Sequence, residues 1–407
     1  MSDSLRVAMV IQRFRPMFSG QGIQVEALAS TLAGRGVDVT ILTATTGCGV
    51  SVEQCDRYRV VRLGNQPPRL VPRTFRNRAV GPTFAARVFA YLQDKGAFDL
   101  IHVHAMTDAL YASYAWCRLH DRPLIFELTL LGADDPLTVS RSTDVFAGLR
   151  YAVYRRCDGF VAISPALETT CGRAMMKAET VRLIPQGVDV RLFSPADDRK
   201  RLRDQLGLPS EGQLVVFVGS LIRRKGIDVL LEAWSRVCRT GLGAQLLLVG
   251  RDEFGGDTLS TEFLSAQLAR VTPAAAGRIH RLGVRADVHR LLQASDLFVF
   301  PSRREGFGTV MAEAMACGLP SVVTELPGIT DFIFGVGDRT GVVVPQEDPD
   351  MLASAVAALL GDRVRAERVG RAARKDAVER FDMERIAEDY LQFYSELLTR
   401  DPDVMEC

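Results

Sequence analysis

The sequence predicts an α/β fold made of two doubly wound, Rossmann-like domains, and two observations carry that prediction. Short apolar, β-branched runs recur along the 407 residues, each followed by a stretch of helical periodicity, which is the mark of parallel strands joined by crossover helices. The alternation also starts twice, at Arg6 and again at Leu214, each time with a strand that runs into a glycine-containing turn. Two such series fit two domains better than one very wide sheet.

Taken in order, the first series predicts strands at Arg6 to Ile11, Val37 to Ala44, Tyr58 to Leu63, Leu100 to His104, Leu124 to Thr129, Gly159 to Ser164 and Val181 to Pro185. The turn-rich string IPQGVDVRLFSP, Ile184 to Pro195, marks the join. Strands then follow at Leu214 to Ser220, Gln245 to Gly250, Ile279 to Gly283, Leu297 to Pro301, Pro320 to Thr324 and Gly341 to Val344. Helical segments at Met351 to Leu360, Arg363 to Arg380 and Met383 to Thr399 close the chain. The expected domains are 1–188 and 189–382, with 383–407 a final helix returning towards the first. Ligands of open α/β sheets sit beyond the carboxyl ends of the strands, so two facing domains would bind theirs in the cleft between them.

Composition narrows the class. With 47% hydrophobic and 24% charged residues and a formal charge of +1, the chain has no electrostatic footprint for nucleic acid. Eight cysteines are scattered without a CxxC pair or metal-ligand spacing, so neither a zinc site nor a disulfide framework is expected, and a reducing, cytoplasmic setting fits. The N-terminus has no basic-then-apolar signal pattern, and no apolar run approaches the ~20 residues of a membrane-spanning helix.

The strongest chemical signal is DLFVFPSRREGFGTVMAEAMACGLPSVVT. An apolar strand ends in a polar loop, Glu305-Gly306-Phe307-Gly308-Thr309 follows, and a helix closes on Gly318. The glycines let the backbone approach a ligand, and free amides around Gly308 to Val310 would open a helix whose dipole favours phosphate. Glu313, early in that helix, can accept two hydrogen bonds from a diol such as ribose. Read alone, Glu313 could equally complement the helix dipole, and Glu305 could be a solvated loop acid.

The Glu305 to Glu313 spacing, with Gly306, Phe307 and Gly308 between, resembles the signature of retaining glycosyltransferases of the GT-B fold, family 4. Further similar strings are FSGQG (Phe18 to Gly22), IPQGVDVRLF (Ile184 to Phe193), VVFVGSLIRRKGIDVLLEAW (Val215 to Trp234), LLLVG (Leu246 to Gly250) and RLGVRADVHRLLQASDLFVFPS (Arg281 to Ser302). The resemblance implies a nucleotide-diphosphate sugar donor, with no cofactor. Glu313 would hold its ribose, the Gly306 to Thr309 backbone its diphosphate and Val284 its base, while Glu305 would lie by the transferred sugar. Lys225 matches the family lysine that neutralises the leaving diphosphate. Charge in the RRK loop after a strand suits that role without the family, because cations aimed at developing negative charge are typically the largest catalytic term. Gly20 and Gly22 are similar to the family's glycine-rich acceptor-domain loop.

Two positions depart from the pattern. Ser220 stands where the family often has arginine, and Arg223 or Arg224 would have to supply that charge. Thr129 stands where a histidine usually contacts the donor sugar, with Glu127 nearby and His102 or His104 as candidates to compensate. Asp134 and Asp135 read either as acceptor contacts or as a solvated turn. No acidic DxD motif falls on a strand end, so the expected transfer is metal-independent; the resemblance implies that the leaving phosphate takes the acceptor proton.

For the acceptor, a glycan, a lipid-linked molecule and a small molecule all stay open. From Arg57 to Gln93 there is no acidic residue but eight arginines, Arg57, Arg59, Arg62, Arg69, Arg73, Arg76, Arg78 and Arg87, interleaved with Phe75, Val80, Phe84, Val88 and Phe89. Either this is a basic solvated surface or it makes a peripheral contact with the inner face of an anionic membrane. Two other classes compete with transfer: a sugar-nucleotide epimerase of the same fold, and a catalytically weak nucleotide-sugar-binding subunit. A dehydrogenase is disfavoured, since RFRPMFSGQG holds no GxGxxG.

Overall fold

The computed structural model describes residues 4–17, 19–67, 76–143, 147–251, 258–335, 337 and 339–400. The chain forms two compact units, Met1–Gly187 with Met383–Cys407, and Val188–Asp382.

The first unit runs β1 (Arg6–Ile11), α1 (Gly20–Gly34), β2 (Asp38–Thr45), β3 (Val50–Gln54), β4 (Arg59–Gly64), α2 (Arg76–Lys95), β5 (Leu100–His104), α3 (Ala109–His120), β6 (Leu124–Leu128), α4 (Pro136–Ser140), α5 (Ala147–Tyr154), β7 (Gly159–Ala162), α6 (Pro165–Arg173) and β8 (Val181–Leu183). The strands order as β3, β4, β2, β1, β5, β6, β7, β8 and are parallel except for the β3–β4 hairpin. Strands β5, β6 and β7 are buried at every position, as a sheet covered on both faces requires. Strand β3 was not anticipated, because an edge strand with Val50 and Val52 turned to solvent carries no inward apolar pattern to read.

The second unit runs α7 (Arg199–Leu206), β9 (Leu214–Val218), α8 (Ile227–Arg239), β10 (Gln245–Val249), α9 (Thr258–Leu268), α10 (Pro273–Ala276), β11 (Ile279–Gly283), α11 (Val288–Ala294), β12 (Leu297–Phe300), α12 (Thr309–Ala316), β13 (Ser321–Thr324), α13 (Thr330–Phe334), β14 (Val342–Val344), α14 (Pro349–Gly361) and α15 (Arg363–Phe381). Its all-parallel sheet orders β11, β10, β9, β12, β13, β14. That is the Rossmann order, in which chain direction across the sheet reverses between the first and fourth strands, here β9 and β12. The equivalent switch in the first unit lies between β1 and β5.

The last helix, α16 (Met383–Leu398), belongs to the first unit. Its buried residues, Met383, Ile386, Ala387, Tyr390, Phe393, Tyr394 and Leu397, repeat at helical spacing and form one face. Gly159 in β7 admits that face, since a Cβ there would lie 2.7 Å from the Phe393 ring.

One device recurs at the amino ends of both sheets. Asp99, Asp158 and Asp296 each immediately precede a strand and accept the first backbone N–H of the neighbouring strand: Arg6 N at 2.9 Å, Leu124 N at 2.7 Å and Leu214 N at 2.7 Å. Each carboxylate also meets a guanidinium, that of Arg6 at 3.1 Å, Arg118 at 2.5 Å and Arg203 at 2.6 Å. The charge-assisted bonds satisfy strand-end donors that no ladder partner reaches. Arg203 is 8% exposed, so removing Asp296 strands a buried cation as well as the Leu214 N–H. Asp296→Ala is expected to cost about 3 kcal/mol, and Asp296→Asn clearly less because it keeps the acceptor, as measured by urea unfolding.

Candidate active site

The carboxyl ends of β9 and β12 bring two loops together at the switch point of the second unit. After β9 the chain turns through Gly219, Ser220 and a tight 3-10 turn at Arg223–Lys225, and Gly226 (φ +70°) then starts α8. A Cβ on Gly226 would lie 1.8 Å from the Pro301 carbonyl oxygen, so only glycine permits this approach. The Arg303 N–H donates to the Arg224 carbonyl at 2.9 Å, and Arg224 Nη1 donates to the Arg304 carbonyl at 2.8 Å. The Arg303 guanidinium grips Asp228 at 2.7 and 2.9 Å and Glu347 at 2.7 Å, while Thr324 Oγ1 donates to the Ser302 carbonyl at 2.6 Å. Sequence reasoning passed over Ser302, Arg303 and Thr324, because their work is to hold other residues.

What these contacts position is an ion pair. Lys225 Nζ lies 2.6 Å from Glu305 Oε1, with side chains 14% and 7% exposed. Ser302 Oγ donates to the same oxygen, and Arg224 stands 3.5 Å from it. Burial alone would raise the Glu305 carboxyl, but the Lys225 and Arg224 cations outweigh it and hold it below the usual carboxylate range. The Lys225 ammonium also sits 4.8 Å above the Phe300 ring. Of the two arginines offered to replace the charge missing at Ser220, Arg224 is the one beside Glu305, while Arg223 is exposed.

Three residues beyond Glu305, Gly308 (φ +82°) is the N-cap of α12 and, as glycine, makes no side-chain cap bond to the helix. Phe307 turns inward and is 1% exposed, its ring 5.5 Å from Phe381 in an edge-on contact, so that only its backbone faces the loop surface. Glu313 is the fifth residue of α12. Among the described residues no side chain pairs with its carboxylate, and burial pushes its pKa up to about 7. Arg374 of α15 ties the end of α12 down by donating to the Ala316 carbonyl at 2.8 Å. Val284 is exposed and directly follows β11 and Gly283 (φ +64°).

In the first unit Gly20 and Gly22 open α1, capped by Ser19 Oγ accepting from Gly22 N at 3.2 Å. A Cβ on Gly22 would meet the Arg13 carbonyl oxygen at 3.0 Å, whereas Gly20 has open space. Phe18 of the same string lies outside the described residues. His104 ends β5 and is 1% exposed, facing Glu127 of β6 at 3.1 Å.

Thr129 is committed elsewhere: its hydroxyl donates to Asp134 at 2.5 Å and its N–H at 3.0 Å. Asp134 and Asp135 are buried, which corrects the solvated-turn reading of that pair. Burial pushes the Asp134 carboxyl up to about 6 against the hydrogen bonds from Thr129 and Leu130, while Asp135 caps α4 through Thr138 N at 3.0 Å.

The basic segment is also partly internal. Arg59 pairs with Asp38, Arg62 with Glu53, and Arg87 donates to the Cys48 carbonyl, while Phe84 and Val88 are core residues. Arg69, Arg73 and Phe75 lie outside the described residues. No helix among the described residues is long and apolar enough to cross a membrane.

Residues 18–192 match the family described as Glycosyltransferase Family 4, and residues 212–362 match Glycosyl transferases group 1. A D-inositol 3-phosphate glycosyltransferase of Segniliparus rotundus is 35% identical over 53% of this chain and 47% of that protein. Its counterpart in Arthrobacter sp. is 29% identical over 92% of this chain and 89% of that protein. Among solved structures, sucrose-phosphate synthase from Thermosynechococcus elongatus superposes with a TM-score of 0.79 at 27% identity, covering 97% of this chain and 99% of that one. Anabaena Alr3699/HepE in complex with UDP-glucose superposes with a TM-score of 0.76 at 22% identity, covering 96% and 100%, a likeness of fold. With both sheets, the switch-point loops and these matches in agreement, the chain belongs to the family 4, group 1 glycosyltransferases and has their GT-B fold.

Proposed function

We propose that this glycosyltransferase takes a sugar from a nucleotide-diphosphate donor and passes it to an acceptor hydroxyl with retention of anomeric configuration, using protein cations and backbone amides to carry the leaving charge. The observation that carries this reading is the buried Lys225–Glu305 pair at 2.6 Å, four residues before α12 begins uncapped. As the bond from the anomeric carbon to the leaving oxygen breaks, negative charge gathers on the diphosphate. The Lys225 ammonium, Arg224 and the N–H groups from Gly306 to Thr309 are the donors assigned to it, a preorganised set that needs no reorganisation at the moment of reaction. Glu305 orients Lys225 beforehand and faces the transferred sugar. The leaving phosphate oxygen takes the acceptor proton while the acceptor oxygen bonds to the same face of the anomeric carbon, so the proton and the bonding electrons both balance.

Glu313 is assigned to the ribose diol, and the backbone at Val284 to the base. A carboxylate whose pKa burial pushes up to about 7, with no side-chain partner among the described residues, would gain two hydrogen bonds from a diol. UDP-glucose is the first donor to try, since it is the one named for the Anabaena structure of the same fold.

Lys225→Ala is expected to lower turnover at saturating donor by ~10²-fold or more. Turnover within a factor of two of wild type removes the lysine from the mechanism. Proton NMR of the first product formed should show the donor's anomeric configuration, and the inverted anomer would overturn the retaining reading. Glu313 gives a prediction in pH. Its folded pKa of about 7 lies above the ordinary 4.5, so ionisation costs the fold nothing below pH 4.5 and progressively more as pH rises towards 7. Glu313→Gln should therefore melt above wild type at pH 8 and approach it below pH 4.5. In calorimetry it should also weaken donor binding at pH 8, where unchanged affinity would count against the ribose assignment.

A further inference from the structure

Apart from the donor site, the first unit buries a cluster of imidazole, carboxylate and phenol groups under α1 and α16. His102 and His104 alternate with Val103 on β5, so both rings point to the same face of the sheet, and their centroids lie 4.0 Å apart. Glu127 stands opposite His104 in the β5–β6 register. All three are closed from solvent, at 0%, 1% and 3% exposure. Tyr390 and Tyr394, one turn apart on α16, complete the group: Tyr390 Oη donates to Glu127 Oε2 at 2.8 Å, and Tyr394 Oη lies 2.8 Å from His102 Nδ1.

The cluster is incompletely satisfied. Among the described residues, His102 Nε2 and both ring nitrogens of His104 have no hydrogen-bond partner. Among the described residues no lysine or arginine pairs with Glu127, and its Oε2 has His104 Nδ1 at 3.1 Å and His102 Nε2 at 3.7 Å. When the His102 Nδ1–H donates to Tyr394, the lone pair of Nε2 faces a carboxylate oxygen, a repulsive arrangement unless a cation sits between them. In metal centres a ligating histidine characteristically donates its other N–H to an outer group, which is the part Tyr394 would play.

We propose that His102 Nε2, His104 and Glu127 bind a divalent first-row transition metal, zinc foremost, as a structural clasp for the first unit. Two imidazoles and a carboxylate form a donor set that zinc takes readily. The three donor atoms all lie within 4.8 Å of one another, and the two spacings from the Glu127 oxygen, 3.1 Å to His104 Nδ1 and 3.7 Å to His102 Nε2, bracket the roughly 3.4 Å between ligands of a tetrahedral site with bonds of about 2.0–2.2 Å. A small cavity lined by Gln24, His104, Glu127, Gly187 and Tyr390 offers a fourth position to water. The site joins β5 to β6 directly and reaches α16 through the two tyrosines. It lies apart from the donor chemistry, which the metal does not enter, and it stands whether or not the donor assignments hold.

The test uses the full chain, stripped with chelator and titrated with zinc chloride by calorimetry, and then with cobalt(II), whose visible spectrum reports coordination number. Wild type is expected to take up one zinc per chain and to give a four-coordinate cobalt spectrum, with zinc binding weakened about 100-fold or more in Glu127→Gln and in His104→Ala. Far-ultraviolet circular dichroism and donor binding by the second unit check that the variants fold. No stoichiometric uptake by wild type, or equal affinity in wild type and a folded variant, overturns the proposal. If neither variant folds, wild-type cobalt decides alone, and a six-coordinate or absent spectrum overturns it.

Discussion

The second unit is organised around a buried ion pair that would be costly if it were less well held. Removing Lys225 and Glu305 from water carries a desolvation penalty that Coulomb attraction offsets only with good geometry and further hydrogen bonds. The structure provides both, through Ser302 on the carboxylate and through the loops that fix the two residues. Those loops meet because β9 and β12 are neighbours at the point where strand order reverses, and because Gly226 lets backbone close on the Pro301 carbonyl. The topology therefore creates the crevice, the glycine lets the two loops close, and the charges occupy the space that results. Glu305 is the counter-charge that offsets part of the desolvation which lowers the Lys225 pKa.

Much of this was legible in the chain itself. Thirteen of the fourteen strands among the described residues were legible in the sequence, most of them as apolar runs, since burial on both faces of a parallel sheet leaves a continuous signal. The strand-loop-helix string around Glu305 was legible for the same reason, a buried strand running into glycines and then a helix. What stayed hidden depends on partners distant in sequence. Nothing near Arg303 announces that it will clamp Asp228 and Glu347, and nothing near His102 announces two tyrosines almost three hundred residues away. Asp134 and Asp135 misled in a different way: adjacent acids suggest a solvated turn, but hydrogen bonds from the loop they organise allow both to be buried.

The first unit repeats the topology of the second with different chemistry at the switch. The ends of β1 and β5 carry a glycine-opened helix and a histidine, where the second unit has a lysine loop and a glutamate. Its polar groups look inward. His104 and Glu127 are sealed beneath α1 and α16, so the unit spends its ionisable residues at this point on holding its own last helix.

That difference separates the two departures from the family pattern. On the proposed function, the charge absent at Ser220 is restored within the same loop, because Arg224 reaches within 3.5 Å of Glu305 and is fastened there by the Arg304 carbonyl. The histidine replaced by Thr129 is not restored in this way. The Thr129 hydroxyl is already donated to Asp134, and His104, the nearest substitute on an adjacent strand end, is 1% exposed with its ring against Glu127. The loop after β6 thus has a tethered hydroxyl where the resemblance implies an imidazole. On the proposed function, discrimination of the sugar passes to Glu305 and to groups supplied by the acceptor, and this chain should distinguish donors by nucleotide more sharply than by sugar.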